Sequence, residues 1–465
     1  MKKILSLVVI SLLIISCGKS TQSGNVKGWD GVENILSRIK PPEFPANDFN
    51  IVEMGAVADG KTDCLPVIKK AIESCSKIGG GKIIIPAGTF FCKGPIHLKS
   101  NINLNLSEGA VLKFSTDPKD YLPVVYTRWE GVECMNYSPM VYAYKQENLG
   151  ITGKGILDGQ AGNENWWAWN GNKKYGWKEG MPNQNDGYNR PALFKYNEKG
   201  TPIEKRVFGE GHHLRPNFIQ FYDCKKIVME DFTVKDSPMW IIHPVLSSNI
   251  TIRNIKSIGH GPNNDGCDPE SCKDVLIESC YFNNGDDCIA IKSGRNQDGR
   301  RINAPSENII VRNCEMKDGH GGVVMGSEIS GGCRNIFVED CLMDSPNLDR
   351  AVRIKSNSYR GGFAENIYVR NIEVGEVADA VVRLNMLYDP KEGTDGKHHP
   401  AFRNIFLKNI KSTYGLRLEG SPESKIQNVV IENCSFENVS DGNIIENVDE
   451  LNLEDLYINE VKTEY

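Results

Sequence analysis

Asn308-Ile309-Ile310-Val311-Arg312-Asn313 sets a pattern that the chain repeats at Asn335-Ile336-Phe337-Val338-Glu339-Asp340 and Asn366-Ile367-Tyr368-Val369-Arg370-Asn371. Each copy is a turn-forming residue, a short alternation of apolar and polar side chains, and a second turn-former. Working outward, the same pattern opens at Asn249 and Asp274 upstream and at Asn404 and Asn428 downstream. By residue number the successive starts lie 25, 34, 27, 31, 38 and 24 residues apart, one coil each with insertions of variable length. A β-branched strand this short cannot bury a face alone, so the copies must stack to close a core. Period-two alternation, 45 glycines and the lack of helical segments between copies point away from a propeller or a βαβ fold. The fold expected is all-β, a right-handed single-stranded parallel β-helix.

Earlier coils show at Ile96–Leu98, Ile102–Leu106, Leu149–Gly153 and Ile227–Met229. Ahead of most of them, Leu65 to Ile78 carries helical periodicity, with Thr62 or Asp63 as N-cap and Gly79-Gly80-Gly81 as its stop. A helix there caps the open end of the stack, whose unpaired edge otherwise templates aggregation. Of the 14 cysteines, Cys280, Cys314, Cys341 and Cys434 recur at one position of the repeat and read as stacked buried hydrophobes rather than a disulfide framework. No CxxC pair has zinc-ligand spacing, and neither a metal nor a cofactor is expected.

Met1-Lys2-Lys3, an apolar run from Ile4 to Ile15, and Ser16-Cys17-Gly18 read as an export signal over residues 1–17. Ile14-Ile15-Ser16-Cys17 resembles a bacterial lipobox, which makes Cys17 a lipid anchor and the membrane a partner only through it. Residues 18–45 are polar and read as a tether to a catalytic body spanning 46–465. Gly18–Gly24 lacks an acidic run, which favours a periplasm-facing location over the cell surface. A net charge of −6 with mixed signs and no basic stripe argues against nucleic acid. An acidic polymer remains possible as a partner if cations are placed locally.

From Gln160 to Pro216 the repeat gives way to a long insertion with Trp166, Trp167, Trp169 and Trp177. Such aromatics either meet sugar faces or pack over the side of the coil. Four further segments hold residues that the solenoid does not need: Asn263–Asp268, Gly285-Asp286-Asp287-Cys288, Gly319-His320-Gly321-Gly322 and Arg353-Ile354-Lys355. They recur at about one coil per step, so on stacked strands ~4.8 Å apart they line one groove. Asp286-Asp287 alone reads as a solvated turn, and so does Gly-His-Gly. Held together, several carboxylates cannot all ionise, which supplies an acid beside bases, as glycosidic cleavage demands. Arg353 and Lys355 share one strand face and suit an anionic sugar.

In this order on this repeat, the four segments resemble the polygalacturonase family of glycoside hydrolases, family 28. Its motifs match at Asp265, at Asp286 with Asp287, at His320, and at Arg353 with Lys355, with Asn264 standing where the family has threonine. The resemblance implies a pectin-lyase-like solenoid and inverting hydrolysis of α-1,4-galacturonosyl linkages in pectin, with an acidic plant polysaccharide or oligogalacturonide as substrate. It makes Asp286 the general acid, Asp265 and Asp287 the groups that activate water, and His320 a tuner of the acid. Arg353, Lys355 and, one coil on, Tyr388 become substrate-binding residues. Exo-acting members often close one end of the groove with an added loop, for which Gln160 to Pro216 is the candidate; Gly326–Gly332 also resembles bacterial exo-acting relatives, and a monomer is expected. Rhamnogalacturonan hydrolysis and a non-catalytic glycan-binding β-helix are the competing readings; calcium-independent cleavage to saturated products would exclude a pectate lyase.

Overall fold

The computed structural model describes residues 28–392, 395–437, 439 and 443–463. Its repeats stack in the expected register: Ile250, Val275, Ile309, Ile336, Ile367, Ile405 and Val429 stand opposite one another in consecutive parallel strands. All seven are buried, and together they form one wall of a continuous core. The unequal spacing therefore falls in the connections and leaves the coil intact. The fold is an all-β parallel β-helix.

The asparagines earn their positions through backbone shape. Asn308, Asn335, Asn366 and Asn404 hold φ of 59°, 56°, 57° and 58°, a left-handed conformation that Asn and Asp tolerate better than other side chains. Each amide then donates to the residue one coil earlier: Asn335 to Asn308 at 3.0 Å, Asn366 to Asn335 at 3.1 Å, Asn404 to Asn366 at 3.0 Å. The ladder turns every corner alike and satisfies polar groups that stacking would otherwise bury. Cys314 meets Cys280 on one side and Cys341 on the other along another corner, whereas Ile372 and Ile410 stand between them and Cys434; every described cysteine from Cys64 to Cys434 is buried and free.

Leu65–Lys77 is helical, here α2, and it buries Leu65, Ile68, Ala71, Ile72 and Cys75 against the first coil. Asp63 accepts from the Leu65 amide at 2.9 Å, and Gly80 N–H closes the far end on the Cys75 carbonyl at 3.0 Å. One expectation fails. Residues 28–45, read as part of a polar tether, are docked on the coil, and Gly31–Arg38 forms a helix, α1. The reason lies in the repeat: Leu276, Ile310, Phe337 and Tyr368 occupy one outward-facing position and line up as an apolar stripe. Val32, Ile35, Leu36 and Ile39, at helical spacing, cover it together with Trp29. The signal reading of residues 1–17, including Cys17, and the start of the tether lie outside the described residues. No helix among the described residues is long and apolar enough to cross a membrane.

Candidate active site

The site is built on one further wall of the coil. There Ile289–Ile291 pairs with Val323–Gly326, which pairs with Arg350–Lys355, which pairs with Ala380–Asn385. Bridges carry the register backward, Cys267 to Ile289 and Glu270 to Lys292. Cys267, Ile289, Val323, Met325 and Ile354 point into the core, so the alternate residues face out. This leaves Asp268, Ala290, Val324 and Arg353 in one outward row, and Glu270, Lys292, Gly326 and Lys355 in the next.

The corner that feeds these strands carries the acids. Gly266 N–H donates to the Asp287 carbonyl at 2.9 Å, His320 N–H to that of Asp286 at 3.1 Å, and Cys288 N–H to that of Gly321 at 2.8 Å. Three successive coils are thereby locked at the same corner. A Cβ on Gly285 would sit 2.6 Å from the Gly261 carbonyl, so only glycine lets these coils close up. Asn264 is buried and braces the turn, its amide donating to the carbonyls of Ser237 and Met239 at 2.9 and 3.1 Å.

Asp265, Asp286 and Asp287 converge: one oxygen from each lies within 4.8 Å of the others. His320 Nδ1 is 3.0 Å from Asp286 Oδ1, and Lys355 Nζ donates to Asp287 Oδ2 at 2.8 Å. The Tyr388 ring lies under both cations, 5.3 Å from the Arg353 guanidinium and 5.4 Å from Lys355 Nζ. All seven residues singled out in the sequence, from Asp265 to Tyr388, thus meet in one place. The two cations differ in state. Lys355 is committed to Asp287, whereas Arg353 forms no ion pair among the described residues and its Nε is without a partner. Lys355 and Lys292, whose Nζ is 3.7 Å from Asp265, already supply the positive charge among the acids that a metal ion would bring.

Burial raises Asp265 well above the ordinary carboxylate range, and the charges of Asp286 and Asp268 add to the effect while Lys292 opposes it. Burial also pushes Asp286 up, but the hydrogen bond and charge of His320, with Lys355 and Lys292 behind them, outweigh it and hold the group low. His320 is raised to about 9 by the same hydrogen bond and charge, against the cost of burial. In the free site, therefore, the proton nearest Asp286 resides on His320, one hydrogen bond away. Among the crowded acids, burial pushes Asp265 and its neighbour Asp268 upward, against the opposing charge of Lys292.

Sequence reasoning missed Lys292 and Trp240, and it reached Glu328 only as part of Gly326–Gly332, without a role of its own. Lys292 lies over the Trp240 ring at 4.8 Å and is paired with Glu328 at 3.2 Å, which Arg295 holds from the other side at 3.3 Å. Alternation along Ile289-Ala290-Ile291-Lys292 was a usable signal, because it puts Lys292 outward one coil before Gly326 and two before Lys355. The tryptophans of the insertion mostly pack: Trp166 is in the core, and Trp167 donates to the Ser237 carbonyl at 2.9 Å.

Toward the N-terminus the outward face of this wall is covered. An antiparallel hairpin, Val125–Trp129 with Val132–Asn136, lies over the outward residues of the preceding coils. Arg128 pairs with Glu270 at 3.1 Å, Thr127 donates to Gln220 at 2.5 Å, and Glu133 accepts from Tyr222. The insertion is pinned beside it by buried Arg215, which donates to the carbonyls of Pro238 and Pro262, both at 2.7 Å, and to Gln184 and Asn263.

Clustered carboxylates flanked by cations in a cleft along a parallel β-helix define a carbohydrate-active protein of the polysaccharide-cleaving kind. Comparison makes this specific. Residues 204–455 match the profile described as glycosyl hydrolases family 28, and residues 49–116 match one described as rhamnogalacturonase A/epimerase, pectate lyase-like. The crystal structure of a hyperthermoactive exopolygalacturonase from Thermotoga maritima is 46% identical, with a TM-score of 0.89 over 93% of this chain and 96% of that one. An exo-poly-alpha-D-galacturonosidase of Dickeya chrysanthemi is 26% identical over 78% of this chain and 61% of its own length. An endo-polygalacturonase of Pectobacterium carotovorum is also 26% identical, over 76% and 79%. The chain belongs to glycosyl hydrolase family 28 and is a glycoside hydrolase.

Proposed function

We propose that this protein hydrolyses α-1,4-galacturonosyl linkages of polygalacturonate from chain ends. The observation that carries the reading is the pairing of the three converged acids with the uncommitted Arg353, in a groove that ends at the Val125–Asn136 hairpin. Arg353 takes the substrate carboxylate bidentately over the Tyr388 ring, and Lys355 shares it while staying paired with Asp287. Asp286 protonates the leaving oxygen with the proton held by His320, and Asp287 with Asp265 orients the attacking water. The acids stand closer than the ~6.5–9.5 Å usual for inverting pairs, so inversion is proposed on family membership alone.

The closed end supports the exo mode. Beside Asn263 a cavity of about 540 Å³ is lined by Asn170, Asn172, Lys173, Gln184, Asn185 and Arg190. Arg190 is neutralised by Glu130 at 2.8 Å, which leaves Lys173 as the cation offered to the terminal uronate. The Met1–Cys17 segment supports an exported, lipid-anchored enzyme, which labelling with a radioactive fatty acid tests, with Cys17→Ser unlabelled. For the activity itself, purified protein is incubated with polygalacturonate and reducing ends are counted. Wild type releases them, and Asp286→Asn binds the polymer without cutting it. Equal rates for the two proteins exclude the assignment.

A further inference from the structure

Beneath the acids lies a carboxylate that the scheme above leaves without a task. Asp268 is wholly buried, and neither of its oxygens accepts a hydrogen bond from any donor among the described residues. An ionised carboxylate in that state is among the costliest things a protein can bury, so its surroundings must show how the charge is relieved.

The groups facing it can be enumerated. In its own row the preceding coil presents His243 and the following coil Ala290. His243 is fully engaged, Nε2 with Glu270 at 2.8 Å and Nδ1 with the amides of Asn217 and Gln220 at 2.9 and 3.0 Å. From the corner come Asp265, Asp286 and Asp287, and from the next row Lys292. Lys292 bridges Glu328 at 3.2 Å and Asp265 at 3.7 Å and makes no ion pair with Asp268. Every other acid has a dedicated partner: Asp286 has His320, Asp287 has Lys355, and Glu328 has Arg295 as well as Lys292. What remains against Asp268 is the carboxylate of Asp265 itself. Two carboxylates facing each other repel unless a proton lies between them, and burial drives both toward holding one against the opposing charge of Lys292.

We propose that Asp265 and Asp268 share a single proton, with Asp268 the positioning residue that fixes Asp265 through it. The bridge keeps the pair at one negative charge and ties one Asp265 oxygen down, so the other is directed at the groove. This rests on the reading of Asp265 as a water-orienting group. The charge state of the pair does not depend on any substrate, which allows the inference and the functional reading to fail separately.

The test is infrared difference spectroscopy on the substrate-free protein. Wild type at pH 7 shows a protonated-carboxyl carbonyl band, and the band is lost in Asp268→Asn and equally in Asp265→Asn. No such band in wild type, or its survival in Asp268→Asn, overturns the proposal whether or not the enzyme cuts polygalacturonate. Activity supplies the second readout. An asparagine can donate permanently to Asp265, so Asp268→Asn retains kcat/KM within about tenfold and its alkaline limb moves up by a pH unit or more. Asp268→Ala, with no donor, loses at least ten times more than Asp268→Asn. A pH profile for Asp268→Asn that superimposes on wild type, or a loss as deep as that of the alanine variant, contradicts it.

Discussion

Lys355→Met removes the partner of Asp287 and leaves a buried carboxylate unpaired. Nζ stands 2.8 Å from Oδ2, the two side chains are 7% and 1% exposed, and Asp287 Oδ1 has no donor of its own. Breaking a buried pair by removing one partner costs about 3–5 kcal/mol. The variant is therefore about 3–5 kcal/mol less stable than wild type, because the carboxylate keeps its burial and loses the one side-chain donor it has among the described residues. Urea unfolding midpoints, converted with a common m, measure the gap. Lys355→Met with Asp287→Asn orphans no charge and recovers most of the loss. A gap under about 1 kcal/mol, or one that the double variant leaves unrepaired, refutes the claim that Lys355 and Asp287 form a mutually dependent buried pair.

Further outcomes follow from the same geometry. Asp286→Asn lowers kcat by about 10²–10⁴ with little change in binding, as loss of a general acid should; matched kcat and affinity losses indicate a binding role instead. His320, raised to about 9 by Asp286, contributes stability that is complete below its ordinary value near 6.5 and lost as pH rises through 9. Because its side chain is 54% exposed, the difference between wild type and His320→Asn is worth less than about 1 kcal/mol, and it closes above pH 9 in thermal melts. Lys173→Ala, at an exposed position, raises KM for short oligogalacturonides and leaves the melting temperature unchanged. Ile35→Ala on α1 costs about 2–5 kcal/mol in unfolding experiments, since Ile35 is fully buried on the aromatic stripe; no loss means that α1 is not docked in solution.

The coil was legible because its logic is local. An Asn whose φ must be positive, followed by alternating β-branched residues, announces a strand and a corner wherever it occurs, and the register from Ile250 to Val429 follows from lining the copies up. The acids were legible for the same reason, since residues that interrupt a repeat at one-coil intervals must stack. Features made by contact between distant segments were hidden. The outward Leu276, Ile310, Phe337 and Tyr368 look like ordinary strand residues one at a time, and only stacking makes the stripe that claims α1. The Val125–Asn136 hairpin carries no repeat, and its place over the groove depends on Arg128 meeting Glu270 across 142 residues of chain. Lys292 was missed although alternation turns it outward, because its partner Glu328 lies a coil away. Arg353 and Lys355, alike in sequence, were given one task, whereas burial beside Asp287 divides them.

The most direct measurement is the distribution of products from polygalacturonate during the first few percent of digestion, separated by anion-exchange chromatography. A groove that ends at the hairpin, with the acids one step from its closed end, predicts free galacturonate from the earliest time point and a slow fall in polymer length. A burst of mid-length oligomers with rapid loss of viscosity, or no release at all, contradicts it.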